Sequence, residues 1–83
     1  MAAPRRRRTH LDAAMPEIAR LGRALAERRI SLRLTQQTVA DLAGVSRSTV
    51  QSLERGSGAI KLASVVEIAD VLGLRVDLGP VER

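Results

Sequence analysis

The stretch QQTVADLAGVSRSTVQSLER, residues 36–55, sets two short apolar-periodic segments on either side of Gly44. That arrangement leaves little freedom in how they connect. Thr35 suits the cap of a helix over Gln36–Ala43, because its hydroxyl can accept from an amide of the first turn. Gly44 stands where a helix end needs a positive φ. Ser46 repeats the capping chemistry for a helix from Arg47 to about Arg55. Two helices so short and so closely joined must cross steeply, so Ala40 has to be small for the second helix to pack over it. Val39, Ala43, Val45, Val50 and Leu53 then face each other and the remaining core. Arg47, Ser48, Thr49, Gln51 and Ser52 fall on the outside. A helix with an apolar inner side and a short, hydrogen-bonding outer side is suited to entering the major groove of double-stranded DNA.

The flanking chain supplies the rest of an all-α domain. Pro16 and Glu17 read as a helix start, since proline fits a first turn and an acid complements the dipole there. Ile18, Leu21, Ala24 and Leu25 share one face of that helix, which ends near Ile30; Arg20, Arg23, Glu27 and Arg28 form the opposite face. Arg55-Gly56-Ser57-Gly58 is a helix exit. Leu62, Val65, Ile68, Ala69 and Leu72 recur at helical spacing, and Gly73 is the expected stop. The period then changes. Leu74, Val76 and Leu78 alternate with Arg75 and Asp77 as in a half-buried strand, ended by Gly79-Pro80. No other segment reads as a strand, so this one needs a partner from another chain, the alternative being a frayed tail lying on the fourth helix. The expected organisation is a basic arm over 1–15, a four-helix domain over 16–73, and a strand and tail over 74–83 that serve dimerisation.

Composition narrows the function classes. A chain of 83 residues holds one domain, and at this size a second copy often adds stability. There is no Cys, Phe, Trp or Tyr and a single His, His10. Thiolate sites and disulfides are excluded, as are the aromatic platforms on which most RNA and single-strand readers stack bases. No convergent acids, nucleophile or metal ligands can be assembled, so neither an enzyme nor a metal or other cofactor is expected. No apolar run is long enough for a membrane span or a secretory signal, which places the expected site of action in the cytoplasm. The net charge of +5 comes from 14 Lys and Arg against 9 Asp and Glu. Arg5, Arg6, Arg7 and Arg8 account for four of the bases, leaving 14 less 4, or 10, against 9 acids. The basic character thus sits in the arm, as for a flexible extension that follows a polyanion, or as for a solvated tail without a role.

The run LTQQTVADLAGVSRSTVQSLERGSG resembles the Cro/phage-repressor (XRE) helix-turn-helix family. The likeness rests on the LTQ opening, the Ala40–Gly44 spacing, the Val45-Ser46 turn and the Leu53-Glu54-Arg55-Gly56 ending, within a resemblance over about residues 21–74. It implies a lambda-repressor-like bundle of four helices and a transcriptional regulator, repressor or autoregulator, that reads an inverted repeat as a homodimer. By the same resemblance Arg47, Ser48 and Ser52 match base-reading positions. Gln36 matches a phosphate anchor, with Gln37 a lesser one; Thr49 and Gln51 match phosphate or flanking contacts. Arg55, Ser57 and Lys61 fall on the loop that clamps the backbone. Glu54 matches an acid that makes a structural ion pair, here with Arg28 or Arg29. The chain departs from the family pattern at Lys61, where a Ser or Thr cap is frequent, and at LRVDL, where many members have a fifth helix. That ending resembles the HipB-like antitoxins, whose strand pairs across the dimer. It implies a toxin protein as a further partner and leaves open a module that acts chiefly by binding protein.

Overall fold

A computed structural model describes residues 10–82, and side chains from residue 14 onward. Within them the chain forms α1 (His10–Ser31), α2 (Gln36–Ala43), α3 (Arg47–Glu54) and α4 (Leu62–Val71). The core consists of Leu25, Val39, Ala40, Ala43, Val50, Leu53, Val65, Ile68, Ala69 and Leu72. Every one is apolar, and α3 packs against each of the other three helices. Among the described residues no polar side chain is buried, so burial of apolar area meets no opposing desolvation inside the core.

The helix-turn-helix forms as its caps dictate. Thr35 accepts from the Thr38 amide at 3.0 Å and Ser46 from the Thr49 amide at 3.2 Å, each satisfying a donor that lacks an intrahelical partner. Gly44 closes α2 at φ 70°, and Val45 donates its amide to the Ala40 carbonyl at 3.0 Å, which starts the turn. Lys61 stands at the cap of α4 with no side-chain bond to that helix, in keeping with the departure noted there.

Two expectations need correction, both in α1. Within the described residues the helix spans His10–Ser31 and carries Pro16 inside it, where the sequence pattern places its start. Pro16 forgoes one intrahelical bond, a local cost that does not end the helix. Secondly, the apolar face of α1 is only partly covered. Leu25 is buried, but Leu21 is 44% exposed and Ala24 is also exposed. The reason lies at Gly22, where α1 crosses the end of α3. A β-carbon there would stand 2.2 Å from the Leu53 carbonyl oxygen, so the backbones approach through glycine and the helix rolls Leu21 outward.

Past Gly73 the described chain carries neither helix nor strand. A strand is defined by its ladder, and among the described residues no segment pairs with this one. Leu74, Val76 and Leu78 are 36%, 42% and 95% exposed.

Candidate nucleic-acid interface

The outward side of α3 carries the expected readers. Val50 and Leu53 are buried, while Arg47 and Ser48 are exposed and Thr49, Gln51 and Ser52 are half-buried along the rim. Eight residues give a polar face about 12 Å long, and the major groove is about 12 Å wide, enough to admit a helix. Arg47 takes part in none of the ion pairs among the described residues, which leaves its guanidinium available. Ser48 is engaged within the molecule: its hydroxyl lies 3.0 Å from that of Ser46, which also lies 2.8 Å from the Thr49 hydroxyl. A hydroxyl has one donor and two acceptor sites, so Ser48 retains capacity for a base edge while its rotamer is held.

The residues assigned to the DNA backbone fall at the two ends of α3. At the C-terminal end, Gln36 donates from Nε2 to Glu54 Oε1 at 3.0 Å, which brings the start of α2 beside the exit of α3. Arg55 is exposed at that exit. Ser57 is half-buried and holds the loop, its hydroxyl accepting from the Ala59 amide at 3.2 Å. Gln37 is exposed but tied along α2, donating to Asp41 Oδ1 at 2.8 Å. At the N-terminal end, exposed Lys61 borders a shallow depression with Gly44, Ser46, Thr49 and Ser64. The polar face of α3 is therefore flanked on both sides by groups that can hold phosphates. Arg5, Arg6, Arg7 and Arg8 lie outside the described residues.

Glu54 organises the C-terminal end. Arg29 donates from Nε to Glu54 Oε2 at 2.7 Å and from Nη2 to Oε1 at 3.1 Å, and from Nη1 to the Leu34 carbonyl at 2.8 Å. Burial by itself would push the Glu54 carboxyl up. The hydrogen bonds from Arg29 and Gln36 and the guanidinium charge outweigh it and hold the group below its ordinary range. The bond to Glu54 likewise raises Arg29, against the opposing effect of burial. Of the two arginines considered for this pair, Arg29 makes it. Arg28 does something the sequence reading missed: its Nε donates to the Leu72 carbonyl at 2.9 Å and satisfies an acceptor at the end of α4. No local pattern announces a contact across 44 residues. Gly22 was also missed, although a glycine inside a helical pattern is itself a sign of close approach.

Leu74 and Val76 of the tail border two shallow grooves, one shared with Leu21, Ala24, Leu25, Val65 and Ala69, the other with Leu62, Val66 and Asp70. Leu62 is 71% exposed. An apolar surface thus continues from the tail onto α1 and α4. Among the described residues no group of His, Cys, Asp and Glu could hold a metal ion, and no helix is long and apolar enough to cross a membrane.

Residues 25–78 match the helix-turn-helix family. A curated relative is an uncharacterized transcriptional regulator in the ATPase CF(0) region of Rhodospirillum rubrum, 36% identical over 59 residues, which are 71% of this chain and 55% of that protein. The chain therefore spans about half the length of the curated relative it matches. Among solved structures it is similar to the restriction-modification controller protein C.AhdI from Aeromonas hydrophila, with 32% identity and a TM-score of 0.66 over 72% of this chain and 91% of that one.

Proposed function

The chain belongs to the helix-turn-helix family, in its Cro/phage-repressor branch, and on that premise we propose that it is a DNA-binding transcriptional repressor that reads an inverted repeat as a homodimer. The observation that carries this reading is the outer face of α3. It is polar throughout, headed by an arginine that joins no ion pair among the described residues, and bracketed at both ends by groups suited to phosphate. Arg47 bridges the two major-groove acceptors of a guanine; Ser48 and Ser52 read neighbouring edges, with Thr49 and Gln51 at the flanks. Gln36, Gln37, Arg55, Ser57 and Lys61 fix the register on the backbone, and the Arg5–Arg8 run follows the duplex beyond the motif.

The second copy is argued from the other side of the domain. Leu74, Val76 and Leu78 are exposed and alternate with charge, and they adjoin the open apolar surface of α1 and α4. Pairing two such tails as strands, in the manner of the HipB-like ending, covers that surface and satisfies both backbones. The dimer sets two α3 helices about one turn of DNA apart, hence the inverted repeat. Both relatives are regulators by description, which supports a repressor acting alone over an antitoxin that also holds a toxin protein.

Selection of genomic fragments by the purified protein at near-physiological salt tests the reading, with Arg47→Ala alongside. The wild type should enrich an inverted repeat, and the variant should lose about 1–3 kcal/mol of discrimination at one base position in each half-site. Enrichment of no sequence by the wild type would overturn the proposal.

A further inference from the structure

Arg33 adopts φ 59°, and among the described residues it is the one non-glycine at positive φ. It follows α1 in a closing motif that α2 and α4 also use. The Arg33 amide donates to the Ile30 carbonyl at 2.9 Å and the Leu34 amide to the Arg29 carbonyl at 3.1 Å. In α4 the same two bonds run from Gly73 to Asp70 and from Leu74 to Ala69, both at 2.9 Å, and in α2 they surround Gly44. Where the other helices end on glycine, α1 ends on a side chain whose β-carbon crowds the next carbonyl. Backbone stability alone selects against that arginine, and strain of this kind is retained where the side chain has a task outside the fold.

The surroundings point to the task. Arg33 is exposed and takes part in none of the ion pairs among the described residues. The connector that presents it is held firmly. Arg29 grips the next carbonyl, that of Leu34, while Thr35 caps α2 and Gln36 is bound to Glu54. Arg33 therefore stands three positions before Gln36, at the end of α3 where the backbone-holding groups gather. A guanidinium matches two phosphate oxygens at once, a match that neither glycine nor a flexible ammonium offers.

We infer that Arg33 is a further DNA-backbone contact, holding a phosphate beside the one that Gln36 and the start of α2 approach. This rests on the DNA-binding reading above. It predicts opposite signs for fold and function in one variant. Arg33→Gly should melt at a higher temperature than wild type, yet bind the selected operator and a scrambled duplex each roughly tenfold more weakly. Its salt dependence should be shallower by about 0.9 in log–log slope for each protomer, and Arg33→Lys should keep the wild-type slope. Fluorescence anisotropy on both duplexes between 50 and 200 mM salt, with thermal melts, reads all of these. An Arg33→Gly protein that binds with wild-type affinity and slope overturns this inference alone. Wild-type protein that binds no duplex overturns it together with the regulator reading.

Discussion

Replacing Glu54 by glutamine changes one oxygen into an amide and removes one charge, at the point where α1, α2 and α3 meet. Arg29 and Glu54 side chains are 15% and 11% exposed, so solvent screens the pair only weakly. The carboxylate accepts at both oxygens: Oε2 from Arg29 Nε at 2.7 Å, Oε1 from Arg29 Nη2 at 3.1 Å and from Gln36 Nε2 at 3.0 Å. A glutamine amide has one accepting atom, so whichever way it turns its NH2 confronts a donor. Hydrogen bonds to charged groups contribute about 1.5–3 kcal/mol and neutral ones about 0.5–1.5, while an unsatisfied buried donor adds its own penalty. Glu54→Gln should therefore cost about 2–3 kcal/mol at pH 7. In a domain of this size that lowers the melting temperature by roughly 10–20 °C.

The pH dependence separates this cause from generic damage. The folded-state value of Glu54 lies below its ordinary 4.5, so the unfolded chain takes up the proton more readily than the folded one. The stabilisation is complete above about pH 4.5 and is lost as pH falls through the folded-state value. Wild type and Glu54→Gln should thus differ fully at pH 7 and converge in acid. Urea unfolding followed by circular dichroism, at one fixed protein concentration from pH 7 to pH 3, gives the comparison. A gap under about 0.5 kcal/mol at pH 7, or one that stays constant into acid, refutes the assignment of the ion pair as the stabilising element.

Two glycines make a paired prediction: Gly22→Ala should cost about 2–3 kcal/mol because its β-carbon meets a backbone oxygen at 2.2 Å, whereas Gly44→Ala, with nothing within 4 Å and φ 70°, should cost only about 1–2. Urea melts rank them, and a Gly22→Ala protein more stable than wild type would contradict the crossing of α1 and α3. Deleting the chain from Leu74 onward should yield monomers in light scattering that keep the four-helix dichroism per residue and bind the inverted repeat far more weakly. A truncated protein that still dimerises rules out pairing through the tail.

The motif was legible because its constraints are local. Thr35, Gly44 and Ser46 each fix a boundary within one or two residues of themselves, and the helices they bound, Gln36–Ala43 and Arg47–Glu54, lie where those residues put them. Glu54 was legible as a structural acid, but its choice of Arg29 over Arg28 depends on how α1 is rolled, which Gly22 sets from a distance. The same roll left Leu21 and Ala24 open where periodicity alone would bury them. Pro16 misled about the start of α1 because proline is favoured at a first turn yet only costly, not forbidden, in a second. Arg33 gave no sign at all: an arginine between two leucines carries no indication of a left-handed backbone, which only the closing bonds of α1 impose.

Glu54 also resolves an electrostatic difficulty in a domain whose charge, arm aside, is almost balanced. A bare carboxylate at the exit of α3 would stand near the phosphates that Gln36, Arg33 and Arg55 are proposed to hold, and would repel them. Arg29 cancels that charge within 2.7 Å, so at the distance of a phosphate the pair presents little net field. The bond from Gln36 Nε2 to the same carboxylate leaves that amide one further hydrogen for DNA and fixes where it points. Arg29→Ala should accordingly be worse for DNA binding than loss of one positive charge predicts, since it also leaves the Glu54 carboxylate uncompensated beside the duplex. Removing Glu54 as well, in Arg29→Ala/Glu54→Ala, should recover part of the binding at the same total charge as wild type. Affinities of the single and double variants for the selected operator, compared as a thermodynamic cycle, measure that recovery. A double variant no better than Arg29→Ala would show that the pair serves the fold and leaves the DNA-facing charge untouched.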